Sequence, residues 1–206
     1  LLDGSHKQPP IKLAIRKKNR SPQSGEWFMQ ALLIIDMQME MQHRIESGKE
    51  HVNTDAPEKI AQLSAAFRQR GLPVVHIRHA EKNPQSPFNP NAVGYAPMPC
   101  AQAVADEPVF VKTTSSGFAS TDLANYLRDN GIDDLVVVGA VAGFCVNSTV
   151  RAGSDLGFNM TVVKDAVLGF GIPSTNLSAN TIFEVTMALL AADFANVVHS
   201  EAVLSN

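Results

Sequence analysis

The sequence predicts an α/β fold: a three-layer α-β-α sandwich around a mainly parallel sheet of about six strands. Three observations lead there. Short continuous apolar runs, such as residues 31–35 and 135–138, are bounded by Gly, Pro or polar residues, as strands buried on both faces are. Segments with helical apolar spacing alternate with those runs, the order of a parallel sheet covered on both sides. The 206 residues, 45% of them hydrophobic, suffice for one substantial core.

Each element follows from local pattern. Residues 1–28 carry Pro9-Pro10, a basic run from Lys12 to Arg20 and Ser21-Pro22-Gln23-Ser24-Gly25, with no periodic apolar pattern. They read as an N-terminal extension, and residues 29–206 as the domain. Residues 31–35 form the first strand, with Asp36 at its C-terminal end and 37–41 as loop. A helix is expected over 54–70. Thr54 or Asp55 caps it, Pro57 suits its first turn, Ile60, Leu63 and Phe67 share a face, and Gly71 ends it. Residues 73–78 are the second strand. From His79 to Pro108 recurrent Asn, Pro and Gly mark a long loop, of the kind that forms pocket walls or lids. Residues 109–111 are a short strand leading to Lys112. Residues 121–130 are a helix with Leu123, Tyr126 and Leu127 inward, closed by Gly131. The apolar run 135–138 gives way to small residues, to Cys145, and to a helix ending near Leu156 with Gly157 as its stop. Strand 159–164, loop 164–176, helix 178–193 and strand 196–199 complete the chain.

The net charge of −3 argues against a dedicated nucleic-acid binder. It is unevenly placed, because residues 1–28 alone sum to +4. Two cysteines, in no C-x-x-C arrangement, fit a reducing compartment. No run approaches the roughly 20 apolar residues of a membrane span, and no signal-peptide core is visible. The expectation is a cytoplasmic protein acting on a small molecule, with no nucleic-acid or membrane partner.

Parallel sheets bind ligands beyond the carboxyl ends of their strands. Asp36, His79, Lys112 and Cys145 all lie at or just past such ends. Cys145 reads as a nucleophile. A helix N-terminus favours thiolate over thiol and presents free N–H groups to a developing oxyanion. Asp36 is placed to take the thiol proton and return it to a leaving amine. Lys112 is placed to hold the thiolate. His79 is a candidate to orient substrate, with Gln38 and Phe118 as pocket walls. Cys100, in the long loop, is a spare thiol.

Three motifs in order carry a family likeness: Leu33-Ile34-Ile35-Asp36-Met37-Gln38; Val111-Lys112-Thr113-Thr114-Ser115-Ser116-Gly117-Phe118 with Thr121-Asp122-Leu123; and Gly139 through Cys145-Val146 with Ser148-Thr149. From about Met29 onward the chain resembles the isochorismatase-like cysteine hydrolases, a Rossmann-like superfamily that includes nicotinamidases and N-carbamoylsarcosine amidase. The resemblance implies a catalytic triad of Asp36, Lys112 and Cys145. It implies a cis peptide at Ala140–Val141 and an oxyanion hole from the N–H groups of Val141 and Cys145. It implies an acyl-thioester mechanism and a homo-oligomer, dimer or tetramer. Ala142 stands where many members have Thr. Nicotinamidases carry a metal-binding Asp-x-His with a further His; here the region reads His76-Ile77-Arg78-His79, and residues three apart on a strand point to opposite faces. The expectation is therefore no metal, no cofactor and no nicotinamidase activity. The leading reading is a metal-independent cysteine amidohydrolase acting on a small carboxamide, ureido or carbamoyl compound. The alternative is a catalytically silent member serving as a binding or assembly module.

Overall fold

The computed structural model describes residues 29–205. The extension read at 1–28 lies outside them, as does Asn206. Strand β1 (Met29–Ile35) is the apolar run expected, and from Ala31 to Ile35 it is buried on both faces. It lies between β3 (Val74–His79) and β5 (Ile132–Ala140), parallel to both. Beyond β3 comes β4 (Val109–Lys112), and beyond β5 comes β6 (Asn159–Phe170), again parallel. The short β7 (Asn196–Val198) pairs with the first half of β6 in parallel, and β2 (His51–Val52) with its last residues in antiparallel. Among the described residues the sheet therefore has seven strands, one more than expected, in the order β2-β6-β5-β1-β3-β4 with β7 also on β6.

Alternation along the strands sends side chains to two cores. Leu32, Ile34, Val136 and Val138 pack with Ile60, Leu63 and Phe67 of helix α2 (Ala56–Gln69). Leu33, Ile35, Leu135 and Val137 pack with Leu123 and Leu127 of α3 (Leu123–Asp129), Val150 of α4 (Asn147–Asp155) and Phe183 and Leu190 of α5 (Ala179–Asp193). These are the three layers.

Several local expectations are corrected. Of residues 37–41, expected as loop, 39–41 open helix α1 (Met39–Glu46), whose Met41 is buried. Strand β6 does not stop at Lys164; it runs on to Phe170, so the loop is confined to 171–178. Two polar residues, Lys164 and Asp165, mask its continuity. Each has a partner, Lys164 in Glu184 at 2.8 Å and Asp165 in Ser200 Oγ at 2.6 Å. A last helix, α6 (Ser200–Leu204), follows β7. Asp55 is the N-cap residue of α2 but makes no side-chain capping bond. Ser178 does cap α5, accepting from the Thr181 N–H at 3.1 Å.

Candidate active site

Adjacent strand ends bring Asp36, His79, Lys112 and Cys145 together. At the end of β1 the Asp36 backbone is left-handed, φ 49°, a region Asp tolerates better than most residues. Its N–H is held by the Ile77 carbonyl of β3 at 3.0 Å. Lys112 ends β4, with β3 between it and β1. The two are therefore about two strand spacings apart, roughly 10 Å, which calls for a long side chain. Lys112 is fully buried, and its Nζ lies 2.7 Å from Asp36 Oδ2.

The nucleophile turn follows β5. Gly139 has φ 123°, and a Cβ there would fall onto the Ile35 backbone, 2.7 Å from its nitrogen. The Ala140–Val141 peptide is cis. One π-helical turn, Ala142–Val146, then carries Cys145 into α4. The Val141 carbonyl accepts from the N–H groups of Phe144 at 3.0 Å and Val146 at 3.3 Å; the amides of Val141 and Cys145 are not among its donors. Thr149 of α4, fully buried, accepts from the Gly117 N–H at 2.9 Å and so ties this helix to the loop after β4. Ala142 is fully buried within the apolar core.

Lys112 Nζ also lies 3.2 Å from Cys145 Sγ, 3.2 Å from His79 Nδ1 and 3.2 Å from the Thr114 carbonyl. One buried cation thus faces one carboxylate and one thiol. Burial pushes the Asp36 carboxyl above the ordinary Asp range, although Lys112 opposes this. Burial, then the negative charge of Asp36, pushes the Cys145 thiol up to about 12, with Lys112 opposing. This corrects the expectation of a thiolate favoured by the helix N-terminus. Cys145 sits in the turn before α4, and desolvation outweighs the helix end. With a single cation present, one anion is tolerated and a second is not. Burial and the neighbouring Asp36 thus favour a neutral Cys145 thiol, with Asp36 facing Lys112 Nζ. Asp36 Oδ1 is buried with no hydrogen-bond partner, and the carboxyl group interacts with the neighbouring Cys145 thiol.

The pair has an energetic signature. Lys112→Met should strand a buried carboxylate and cost about 3 kcal/mol at neutral pH. Adding Asp36→Asn should recover most of that loss, because the second change removes the stranded charge. Urea unfolding of wild type, both single variants and the double variant checks it; additive losses would show that the pair is not coupled.

Residues 30–202 match the Isochorismatase domain family. The chain belongs to the isochorismatase family. It is an isochorismatase-like hydrolase. YddQ of Bacillus subtilis, an isochorismatase family protein, is 33% identical over 84% of this chain and 98% of its own. An isochorismatase-family structure from Chromobacterium violaceum superposes with a TM-score of 0.82 at 31% identity, covering 90% of this chain and 96% of its own. N-carbamoylsarcosine amidase of an Arthrobacter species is 27% identical over 52% of this chain and 47% of its own.

In this isochorismatase-family chain, two sequence-assigned pocket walls have other work. Gln38 is fully buried, and its amide is engaged with backbone: Nε2 donates to the carbonyls of His79 at 3.0 Å and Tyr95 at 2.9 Å, and Oε1 accepts from the His79 N–H at 2.8 Å. It staples the long loop to the end of β3 and has no donor left for substrate. Phe118 stacks on Phe158, centroids 5.5 Å apart, against the α4 side of the core, so it is a packing residue. His79 does reach the site, but its ring nitrogens face Lys112 and, at 3.2 Å, Glu81 Oε1. Glu81 was not singled out by sequence; its position two residues past His79 was the available signal. His76 points the other way, its Nε2 2.9 Å from Glu107 Oε2. Among the described residues no group of three or more His, Cys, Asp or Glu is placed to hold a metal ion. Cys100 is partly buried, and burial pushes its thiol up to about 11. Among the described residues no helix is long and apolar enough to cross a membrane.

Proposed function

We propose that this protein is a cysteine amidohydrolase that cleaves the C–N bond of a small carboxamide, ureido or carbamoyl compound. The observation that carries the reading is the contact of one buried ammonium, Lys112 Nζ, with both Asp36 Oδ2 and Cys145 Sγ. Cys145 passes its proton to Asp36 as Sγ attacks the substrate carbonyl, and Lys112 holds the negative charge that moves to sulfur. The N–H groups of Val141 and Cys145 receive the oxyanion. Asp36 returns the proton to the leaving nitrogen, which departs as ammonia or an amine and leaves an acyl-thioester. Water, deprotonated by Asp36, then attacks the thioester; the acid product leaves and Cys145 regains a proton. Lys112 supplies the positive charge throughout, so no step is routed through a metal.

Ammonia or amine release across a panel of small carboxamides, ureido acids and N-carbamoyl compounds tests this. At least one class should turn over, and Cys145→Ala should abolish it. Release that survives Cys145→Ala, or none from any class, removes the reading.

The reaction should have an acid limb set by Asp36. Its carboxylate is the base, so kcat/KM should fall as pH drops through the raised Asp36 pKa, above the ordinary value of about 3.9. Stability has the opposite sign. The folded chain holds this proton more tightly than the unfolded one. The group's contribution to stability is therefore full below the ordinary Asp value and lost as pH rises through the raised one. A pH–rate profile recorded beside a pH–urea series should show activity falling on the acid side before any loss of fold attributable to Asp36. An acid limb that merely tracks unfolding would contradict Asp36 as base.

A further inference from the structure

We propose that His79 is a positioning residue for Lys112, with Glu81 fixing the tautomer that allows it. The proposal rests on the reading of Cys145 as nucleophile. His79 and Lys112 are register partners across the parallel β3–β4 pair, so their side chains rise from the same face of neighbouring strands. Lys112 Nζ has four acceptors around it: Asp36 Oδ2 at 2.7 Å, and His79 Nδ1, the Thr114 carbonyl and Cys145 Sγ, each at 3.2 Å. An ammonium carries three hydrogens. The acceptors therefore compete, and two of them, His79 Nδ1 and the Thr114 carbonyl, take no part in the movement of charge between Asp36 and Cys145.

That division has a use. When the thiol proton passes to Asp36, negative charge leaves the carboxylate and appears on sulfur. The ammonium must follow the charge without moving away from either group. Those two acceptors hold its nitrogen in place while its hydrogens redistribute. Without His79 Nδ1, Nζ is free to settle against Asp36, its shortest contact, and away from Cys145.

His79 is itself held rigidly for this task. Its N–H and carbonyl are both bonded to the Gln38 side chain. The ring stands edge-on to Phe88, centroids 5.3 Å apart at 82°. Because Nδ1 faces a group that only donates, the ring hydrogen of neutral His79 belongs on Nε2. Glu81 Oε1 lies 3.2 Å from that nitrogen and accepts from it. A carboxylate behind a histidine fixes its tautomer in this way.

The test uses iodoacetamide on the full chain without substrate, following Cys145 and Cys100 by peptide mass across pH. His79→Asn puts an amide oxygen near the position of Nδ1, whereas His79→Gln puts its polar atoms farther out, near Nε2. In wild type, Cys145 should label faster than Cys100 even though burial raises both thiols, because Asp36 can take the Cys145 proton as the sulfur attacks. His79→Gln should slow Cys145 by about tenfold or more, the scale of a misplaced catalytic group, with Cys100 unchanged, and His79→Asn should recover most of the rate. Equal slowing by both variants marks a merely structural His79 and overturns the proposal, as does wild-type labelling in His79→Gln. Should the His79 variants fail to fold, Glu81→Leu at its exposed position reads the same device: slower Cys145 labelling supports it, and unchanged labelling overturns it. If wild-type Cys145 labels no faster than Cys100, the nucleophile reading falls and this proposal with it; the other negative outcomes remove His79 alone.

Discussion

Cys145→Ala, Asp36→Asn and Lys112→Met are each expected to lower kcat for amide hydrolysis by at least about 10⁴-fold, and the triple variant to be scarcely worse than the worst single one. The reason is the shared contact at Lys112 Nζ. In the proposed mechanism sulfur gives its proton to Asp36, with which the thiol interacts. The thiolate cannot persist in a buried site without the ammonium 3.2 Å away. Neither group has a task once the thiol is gone. Single-turnover and steady-state rates on the best substrate of the amide panel check this, with far-UV circular dichroism confirming the fold of each variant. Losses that multiply across the triple variant would mean that the three side chains act separately.

Gly139→Ala is expected to destabilise the domain by about 4 kcal/mol or more, at the extreme of single substitutions. Two costs coincide. The backbone at φ 123° lies where an L side chain is strained, and the added methyl falls on the Ile35 backbone. Ile35 is the register partner of Gly139 in the central β1–β5 pair, so the sheet cannot yield at this point without parting its middle strands. Asp36 follows Ile35 directly, and activity should be lost together with stability. Urea midpoints measured against a Gly157→Ala control, where open space surrounds the added methyl, isolate the packing cost from the φ cost. Equal losses at the two positions would show that close approach to β1 is not the cause.

Much of this was legible in the chain itself. Runs such as Leu32 to Ile35 and Val136 to Val138 have no polar interruption, and each proved to be a strand buried on both faces. Asp36, His79 and Lys112 were legible for the same reason, since they end or directly follow strands, whereas Cys145 sits in the turn after β5. Helix α1 was not legible. Met37, Met39 and Met41 alternate with polar residues and mimic a strand or loop period. The end of β6 was masked by Lys164-Asp165, whose partners Glu184 and Ser200 lie in elements distant in sequence. The work of Gln38 depends on a loop folding back from Tyr95, which local pattern does not encode. The direction of the Cys145 shift was misread because a helix end is visible in sequence, whereas the depth of burial is not.

The cluster around Lys112 is drawn from four separate strand ends, and the sheet order places β1, which appears first, between strands made later. Ile35 must therefore find Gly139, about a hundred residues downstream, before Asp36 and Cys145 can meet. Until then the thiol is an ordinary cysteine side chain with neither Asp36 nor Lys112 beside it. Chemical competence is thus tied to completion of the sheet. A nascent or partly unfolded chain carries the same sulfur without the carboxylate and the ammonium that surround it in the folded one.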